Sequence, residues 1–402
     1  MIERFSVRTF KSLEHVTVEL GQVNVFIGAN GSGKSNLLEA LGILSAAADG
    51  KVDDQALLAR GVRLGAPKRY KSAFPAQPGK RIPAHLSFEA CGSSQAEYKV
   101  CLWNNLKDPD PAWTFKTESW KEKDRKLVGR SPASKKKTDE KLDRNKQRGF
   151  AALKAVEVAK GPALSLLESL QSYVIFSPAT AVLRGVTPET QPKTPVGLSG
   201  GNLLPAVHNL LIQRNKDTRV WKICQDVLEL IDWAKEITLT SAAQNPFSPT
   251  KSSVKTTIEF RDRFMKEGQN LLSAYEASEG ALYALFLAVI AGHKAGPPLC
   301  AIDNADHSLN PRLARALMEC LCQWYMAMEE PRQILLTTHN PLILDGLPLQ
   351  DDRVRLFTVS RTDTGRTSIR RVVVEGLLEK AERGWSLSRL WVMGHLGGVP
   401  DV

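Results

Sequence analysis

The stretch from residue 23 to residue 39, VNVFIGANGSGKSNLLE, constrains the chain more than any other part of the sequence. The apolar run over residues 23–27 predicts a buried strand. It leads directly into GANGSGKS at residues 28–35, which satisfies every fixed position of the phosphate-loop pattern G-x-x-x-x-G-K-[ST]. Leucines at helix-like spacing follow, so the strand, the loop and the helix that this motif requires are all predicted.

The chemistry of a nucleotide's phosphate chain explains these residue types. Glycines allow backbone N–H groups to turn inward around phosphates, and the N-terminus of the following helix favours anions. Lys34 would reach the β- and γ-phosphates of ATP, and the Ser35 hydroxyl would hold Mg²⁺. The alternative is a glycine-rich turn that matches the pattern by chance. The residues predicted to bind the nucleotide in this loop are Gly28, Asn30, Gly31, Ser32, Gly33, Lys34 and Ser35.

Length and composition limit the class of protein. A chain of 402 residues is long enough for two or three ordinary domains or one large composite domain. The N-terminus has no apolar core typical of a secretory signal, and the apolar stretch over residues 281–292 is too short to span a bilayer. The six cysteines are scattered, which favours buried free thiols in a reducing compartment. These features predict a cytoplasmic protein without a membrane segment.

The net charge of +11 favours contact with a polyanion such as DNA. Residues 121–148 hold much of the local basic excess, centred on Lys135-Lys136-Lys137, and predict a loop or mobile arm. Such an arm would contact phosphates in a salt-dependent and sequence-independent way. A solvated charged segment without a partner is an equally open interpretation. Aromatic residues are absent from its middle, so the sequence does not predict base stacking there.

The N-terminal arrangement resembles a known group of ATPases. Residues 2–10 and 15–20 predict two strands ahead of the phosphate loop, and Phe10-Lys11-Ser12 stands between them. This order resembles the heads of the RecF, SMC and OLD-like ATPases, a branch of the ABC-type ATPase superfamily. The resemblance implies that Phe10 and Lys11 lie near the nucleotide. It also implies a site composed of residues from two subunits.

Two segments compete for the signature motif of that superfamily. Residues 198–202, LSGGN, look like the signature LSGGQ but precede the acidic strand by about a hundred residues. We therefore predict that they begin a helix, capped by Asn202 or Ser199. The preferred signature is ASEG at residues 277–280, which opens the apolar helix. There Ser278 and Gly280 would donate hydrogen bonds to a γ-phosphate held by the opposite subunit.

Residues 299–303, LCAID, predict an apolar strand that ends in a carboxylate. This is the pattern of a Walker B strand, so Asp303 is predicted to hold Mg²⁺ together with Ser35. The resemblance places a water-polarising glutamate next, but the chain has Asn304, which cannot accept a proton at neutral pH. Asp306 is the nearest replacement carboxylate.

A further predicted strand ends in His339. The resemblance implies that this histidine contacts the γ-phosphate. The alternative is a structural role, which is more common for a lone histidine after a strand. Asp303, Asn304 and His339 are the predicted catalytic positions.

These observations predict an α/β fold, an ABC-ATPase-like head with a mixed sheet, a phosphate loop and an inserted helical and basic segment. We expect an N-terminal lobe over residues 1–120, an insertion over 121–235 and a C-terminal lobe over 236–402. The sequence has no long heptad region, so we do not predict a coiled-coil arm. The resemblance implies a homodimer or larger homo-oligomer that encloses ATP and Mg²⁺.

Three functional hypotheses follow from the resemblance. The first is an ATP-binding, slowly hydrolysing sensor or scaffold in anti-phage defence, working with a separate nuclease or toxin. The tail over residues 387–398 resembles the C-terminal end of single-chain ATPases from such systems. The second is a RecF-like DNA-repair ATPase that clamps duplex DNA. The third is a nucleotide-locked structural subunit without turnover.

Overall fold

The computed structural model describes residues 1–75, 84–130, 145–241, 256–307, 309–373 and 385–398. These residues form two six-stranded sheets, a three-stranded sheet and helices packed against them. The mixed α/β fold predicted from the sequence is therefore confirmed.

Strands and helices alternate irregularly along the chain. The strands are β1 (Ile2–Phe10), β2 (Leu13–Glu19), β3 (Val23–Ile27), β4 (His85–Gly92), β5 (Ala96–Trp103), β6 (Thr114–Glu122), β7 (Arg125–Arg130), β8 (Val174–Phe176), β9 (Ala234–Ser241), β10 (Thr256–Asp262), β11 (Leu271–Ser273), β12 (Leu299–Ile302), β13 (Gln333–Thr338), β14 (Val354–Arg361) and β15 (Thr367–Arg371). The α-helices are α1 (Lys34–Ala48), α2 (Asp54–Leu58), α3 (Pro67–Tyr70), α4 (Phe150–Lys154), α5 (Pro162–Ser172), α6 (Thr180–Leu183), α7 (Leu203–Gln213), α8 (Thr218–Leu230), α9 (Glu279–Gly292), α10 (Pro311–Met326) and α11 (Leu387–Val392).

The central sheet has the strand order β15-β14-β3-β13-β12-β8. Its strands from β14 to β8 run parallel, and only β15 is antiparallel to its neighbour. Every residue of β3 is buried, which is typical of a parallel strand covered on both faces. Because β3 lies between β13 and β14, the two ends of the chain together form this sheet.

Helix α1 lies between the central sheet and the antiparallel sheet of order β2-β1-β4-β5-β6-β7. All of its residues except Ser35 and Asn36 are buried. Phe26 of β3 faces the same core as α1 and stacks on Phe357, with ring centroids 4.8 Å apart. The other face of β3 packs into a second core, which contains α9 and α10. The connection from β3 to α1 is therefore held from both sides.

Helix α9 is the apolar helix predicted from the sequence. Its residues from Gly280 to Gly292 are all buried, and it packs against α7, α8 and α10. No helix within the described residues has both the length and the apolar character needed to cross a bilayer. All six cysteines are free, as predicted, and Cys224, Cys300 and Cys322 are buried.

The basic segment begins differently from its prediction. Residues 121–130, expected to be loop, complete β6 and form β7, which pair as an antiparallel hairpin. The expectation failed here because the hairpin is held by ladder hydrogen bonds and by the buried side chains of Trp120 and Val128, which pair across it. Its centre, Lys135-Lys136-Lys137, lies outside the described residues.

Two further expectations need correction. The sequence over residues 151–170 predicts one helix, but Gly161 and Pro162 start α5 as a helix separate from α4. The segment 198–202 does lead into α7, with Asn202 at the cap position, but no described side chain donates or accepts a capping hydrogen bond. Instead, the Glu189 carboxylate accepts hydrogen bonds from the backbone N–H groups of Ser199 and Gly201.

Lys71 is a buried cation whose charge should make the stability depend on pH. Its side chain donates hydrogen bonds to the carbonyl oxygens of Ala84 and Asn104, both at 2.8 Å, and the residue is 3% exposed. Burial lowers the Lys71 pKa from 10.5 to about 8. Between pH 8 and pH 10.5 the unfolded chain holds this proton and the folded protein releases it, so stability rises with pH.

We expect Lys71→Met to remove this contribution. The free energy of unfolding of the wild type, relative to the variant, should increase by about 2–3 kcal/mol across that window. Denaturant titrations at several pH values measure the difference. Lys123→Met, at an exposed turn, is the control and should leave the pH dependence unchanged. A Lys71→Met variant with the wild-type pH slope would contradict the assignment.

Candidate nucleotide site

The phosphate loop connects the end of β3 to the start of α1. Gly31 and Gly33 have φ angles of 76° and 109°, in the left-handed region that glycine adopts without strain. A Cβ atom on Gly28 would lie 2.1 Å from the Val359 carbonyl oxygen, so this glycine is needed for close approach of the backbone. No described side chain caps the N-terminus of α1, which leaves its N–H groups available to an anion.

Lys34 is the first residue of α1 and turns back over the loop. Its ammonium donates hydrogen bonds to the carbonyl oxygens of Gly28, at 2.7 Å, and Ala29, at 2.9 Å. Burial lowers the pKa of Lys34, while the carboxylates of Asp303 and Asp306 act in the opposite direction. The loop also holds the Ser32 hydroxyl, which is buried and has no partner among the described residues. A cation and a hydroxyl are thus available for phosphate oxygens.

Ser35 and Asp303, predicted as the metal pair, lie together. The Ser35 hydroxyl donates to Asp303 Oδ1 at 3.0 Å, and the Thr337 hydroxyl donates to the same oxygen at 2.5 Å. Hydroxyl and carboxylate oxygens are the ligand types that Mg²⁺ prefers, and Mg²⁺ usually keeps several waters beside one or two protein ligands. These residues therefore fit a magnesium ion, with Ser35 and Asp303 as the groups that would hold it.

Parallel strand pairing brings the site residues to one edge of the central sheet. Thr338, the last residue of β13, pairs with Ile27, the last residue of β3. His339 and Gly28, the first residue of the phosphate loop, therefore each come directly after one of two paired strand ends. Asp303 follows β12, which pairs with the other side of β13. Ligand sites of α/β sheets lie at this carboxyl edge.

Asn304 follows Asp303 with a φ angle of 58°, in the left-handed region. Asparagine enters this region more easily than most residues because its short side chain can bond locally. The Asn304 backbone N–H donates to the Thr337 hydroxyl at 2.9 Å, which ties it to the Asp303 cluster. The side-chain amide adds no negative charge at this position.

His339 and Asp306 form a pair beside the loop. Nδ1 of His339 lies 3.1 Å from Oδ2 of Asp306, and their side chains are 55% and 3% exposed. Asp306, which sequence reasoning named only as a nearby carboxylate, therefore faces the predicted switch histidine. Its other oxygen, Oδ1, is buried and has no partner among the described residues.

The predicted signature residues lie at the start of α9. The Ser278 hydroxyl accepts a hydrogen bond from the Ala281 N–H at 3.3 Å, so Ser278 is the N-cap of α9. Ser278 is exposed, whereas Gly280 is buried. Among the described residues, no hydrogen bond or ion pair connects either residue to the phosphate loop, so one chain does not bring the two halves of the predicted site together.

Several residues around the loop were not predicted. Glu39 of α1 is buried and pairs with Lys11 and with Arg63, whose Nε lies 2.5 Å away. Lys11 thus lies beside α1, whereas Phe10 is fully buried and stacks on Tyr70. The Thr367 hydroxyl donates to the Ser32 carbonyl at 2.7 Å. Glu39, Arg63 and Thr367 carried no local sequence signal, whereas Thr337 lies in β13, the strand predicted to lead to His339.

Two family models match the chain. The one described as "AAA ATPase domain" matches residues 1–148, which include the phosphate loop. The other, described as "AAA domain, putative AbiEii toxin, Type IV TA system", matches residues 229–345. That range includes Ser278, Asp303 and His339.

Parts of the chain are similar to proteins named DNA replication and repair protein RecF. Identity to the Corynebacterium jeikeium (strain K411) protein is 30% over 108 residues, covering 27% of this chain and 25% of that protein. Identity to the Rhodococcus erythropolis (strain PR4) protein is 34% over 82 residues, covering 20% of this chain and 19% of that protein. Identity to the Renibacterium salmoninarum protein is 26% over 155 residues, which cover 38% of this chain and 38% of that protein. The chain thus aligns with less than half of the length of these relatives.

The whole fold is similar to solved SMC heads. An Smc head bound to the C-winged helix domain of ScpA has a TM-score of 0.53 at 14% identity, covering 94% of this chain and 99% of that chain. A second solved structure is an Smc head with an extended coiled coil, bound to the C-terminal domain of ScpA derived from Pyrococcus furiosus. Its TM-score is 0.52 at 13% identity, covering 95% of this chain and 98% of that chain. At these identities the likeness concerns the fold. Residues 1–148 and 229–345 thus match ATPase domain models, and the chain has the fold of an ABC-type ATPase head similar to those of the RecF and SMC proteins.

Proposed function

We propose that the chain binds ATP with Mg²⁺, dimerises around it and hydrolyses it slowly, as a sensor or scaffold for a separate effector in anti-phage defence. The observation that carries the proposal is the cluster of Ser35, Asp303 and Thr337 beside Lys34, with Asn304 next in the chain. This cluster has the groups that hold a nucleotide and its metal. It lacks a carboxylate at the position directly after Asp303.

Dimerisation is supported by the separation of the two halves of the site. Ser278 is exposed at the N-terminus of α9, where the helix end favours an anion, and it has no bond to the phosphate loop among the described residues. A second subunit would bring its own Ser278 to a γ-phosphate held here. ATP would then lie between two chains, and its binding would drive their association.

Slow hydrolysis follows from the chemistry of Asn304. An amide cannot take a proton from the attacking water, and general-base catalysis contributes about 10²–10⁴-fold to a rate. Bound Mg²⁺ would supply electrostatic stabilisation of the phosphates. The protein's own groups would then orient ATP for long periods, which suits a sensor that reports its nucleotide state to another protein.

A role in defence, with a nuclease or toxin encoded separately, is supported by the family model over residues 229–345, whose description names a toxin of a type IV TA system.

A RecF-like clamp on duplex DNA is the second candidate. The net charge of +11 and the relatives named RecF favour it. An ATPase assay with and without duplex DNA separates the two, because stimulation that falls with rising salt supports the clamp. ATP binding without phosphate release would support a locked subunit.

Lys34→Ala tests the central assignment. We expect the affinity for ATP to fall roughly 10- to 100-fold, because a charge-assisted interaction with the phosphates is lost. Fluorescence titration with a labelled ATP analogue measures the affinity. Lys123→Ala removes an exposed lysine of the β6–β7 turn and is the matched control. Wild-type affinity in Lys34→Ala would overturn the site.

Asn304→Glu tests the cause of slow turnover. We expect phosphate release at saturating ATP to rise at least about tenfold, since a base would be restored. The gain is limited by the left-handed backbone at this position, which costs on the order of 1 kcal/mol for glutamate. Asn304→Gln has the same length and no base, so it is the control. Equal rates in the two variants would show that the missing carboxylate does not limit hydrolysis.

Ser278→Asp tests the composite site. Aspartate keeps the N-cap of α9 but would place a negative charge against the partner's γ-phosphate, so we expect ATP-dependent dimerisation to be lost. Size-exclusion chromatography with light scattering, with and without Mg²⁺ and ATP, measures it. Ser278→Thr keeps both the cap and the neutrality and should dimerise as the wild type does. A dimer of unchanged stability in Ser278→Asp would place the signature elsewhere.

A further inference from the structure

Asp306 and His339 have opposite environments. The Asp306 carboxylate is 3% exposed and the His339 ring is 55% exposed, and they meet through Oδ2 and Nδ1 at 3.1 Å. The second oxygen of Asp306 is closed to solvent and has no partner among the described residues. The Asp306 side chain is thus almost closed to solvent, and the exposed group that it contacts is the His339 ring.

The contact sets the tautomer of the histidine ring. An ionised carboxylate only accepts hydrogen bonds, so the neutral ring must carry its proton on Nδ1 to bond with Asp306. The lone pair is then on Nε2, on the side of the ring away from Asp306. A partly exposed imidazole with a carboxylate on Nδ1, and with no hydrogen bond from Nε2 to any residue that the structure describes, is oriented to accept a proton.

The pair also lies on the phosphate side of the site. His339 follows Thr338, which pairs with Ile27 immediately before the phosphate loop. Asp306 is close enough to Lys34 to oppose the effect of burial on the ammonium. Both members of the pair therefore lie near the groups that would bind the terminal phosphates.

We propose that Asp306 is a positioning residue that holds His339 in the Nδ1–H tautomer, and that His339 Nε2 takes the proton from the attacking water. This inference rests on the proposed ATPase function. The water oxygen forms a bond to the γ-phosphorus, and the bond from that phosphorus to the β,γ-bridging oxygen breaks. ADP leaves with the electron pair, and the water proton moves to Nε2, which later returns it to solvent. The pair thus gives the site a proton acceptor, although not at the position directly after Asp303, where Asn304 stands.

Asp306→Asn is the decisive variant. Its amide N–H₂ would donate to Nδ1 and favour the Nε2–H tautomer, which has no lone pair on Nε2. We expect kcat to fall roughly 10- to 100-fold with KM for ATP unchanged. Asp306→Glu should recover part of the loss, and Asp306→Asn should add little to His339→Gln because the two residues act as one unit. Asp345→Asn, whose carboxylate bonds Ser388 instead, is the control and should keep the wild-type rate.

A second measurement reads the tautomer without activity. Long-range ¹H–¹⁵N spectra distinguish Nδ1–H from Nε2–H imidazoles, and the His339→Gln spectrum identifies which of the seven histidines is His339. We expect the Nδ1–H form in the wild type and the Nε2–H form in Asp306→Asn. An Nε2–H ring in the wild type, an unchanged kcat in Asp306→Asn, or additive losses in the double variant would each overturn the inference.

The failure of this inference is distinguishable from failure of the proposed function. ATP binding is measured separately by fluorescence, with Lys34→Ala as its negative control. A wild type that binds ATP but releases no phosphate overturns the role of His339 as a base and leaves ATP binding intact. A wild type that does not bind ATP overturns both. Thermal unfolding of Asp306→Asn checks that a lower kcat does not come from a smaller folded fraction.

Discussion

The structure depends on the burial of β3 and α1 on every side. The strand is apolar along its whole length and lies in a parallel sheet covered on both faces, and the helix is enclosed between two sheets. The polar backbone of the turn between them has no place in either core. It therefore emerges at the carboxyl edge of the sheet, where Gly28 passes so close to the Val359 carbonyl that no side chain fits. The position of the phosphate loop at this edge is therefore a consequence of how β3 and α1 pack.

The same edge collects an unusual distribution of charge. The half-buried carboxylate of Asp303 accepts hydrogen bonds from two hydroxyls, and the buried carboxylate of Asp306 contacts an imidazole. Under the proposed function, these partners suit Asp303 to hold a metal and Asp306 to orient the histidine that accepts a proton. Asn304 stands between them and adds no third negative charge. A glutamate there would bring three carboxylates into a small volume, and like charges at short range disfavour ionisation.

Local patterns predicted the parts of the site that lie within a few consecutive residues. The phosphate loop, the strand that ends in Asp303 and the strand that ends before His339 were all recognisable, because a buried strand and its polar terminus leave a contiguous signal. Prediction failed where a structure depends on distant contacts. The β6–β7 hairpin was hidden by its lysines, and the burial of Phe10 could not be read from its position beside Lys11. The pairing of Arg63 with Glu39 had no sequence signal at all.

The sequence by itself determined that this chain has a loop with the phosphate-binding pattern, since glycines, Lys34 and Ser35 at fixed spacing encode that backbone without help from elsewhere. It also determined that an amide stands after Asp303. Only the tertiary structure decided what those groups meet. Ser35 and Asp303 are 268 residues apart in sequence and share a hydrogen bond because β3, β13 and β12 are neighbours in a parallel sheet. The direction in which Asp306 points, toward His339 and away from water, follows from that strand order and from packing, which no local pattern specifies.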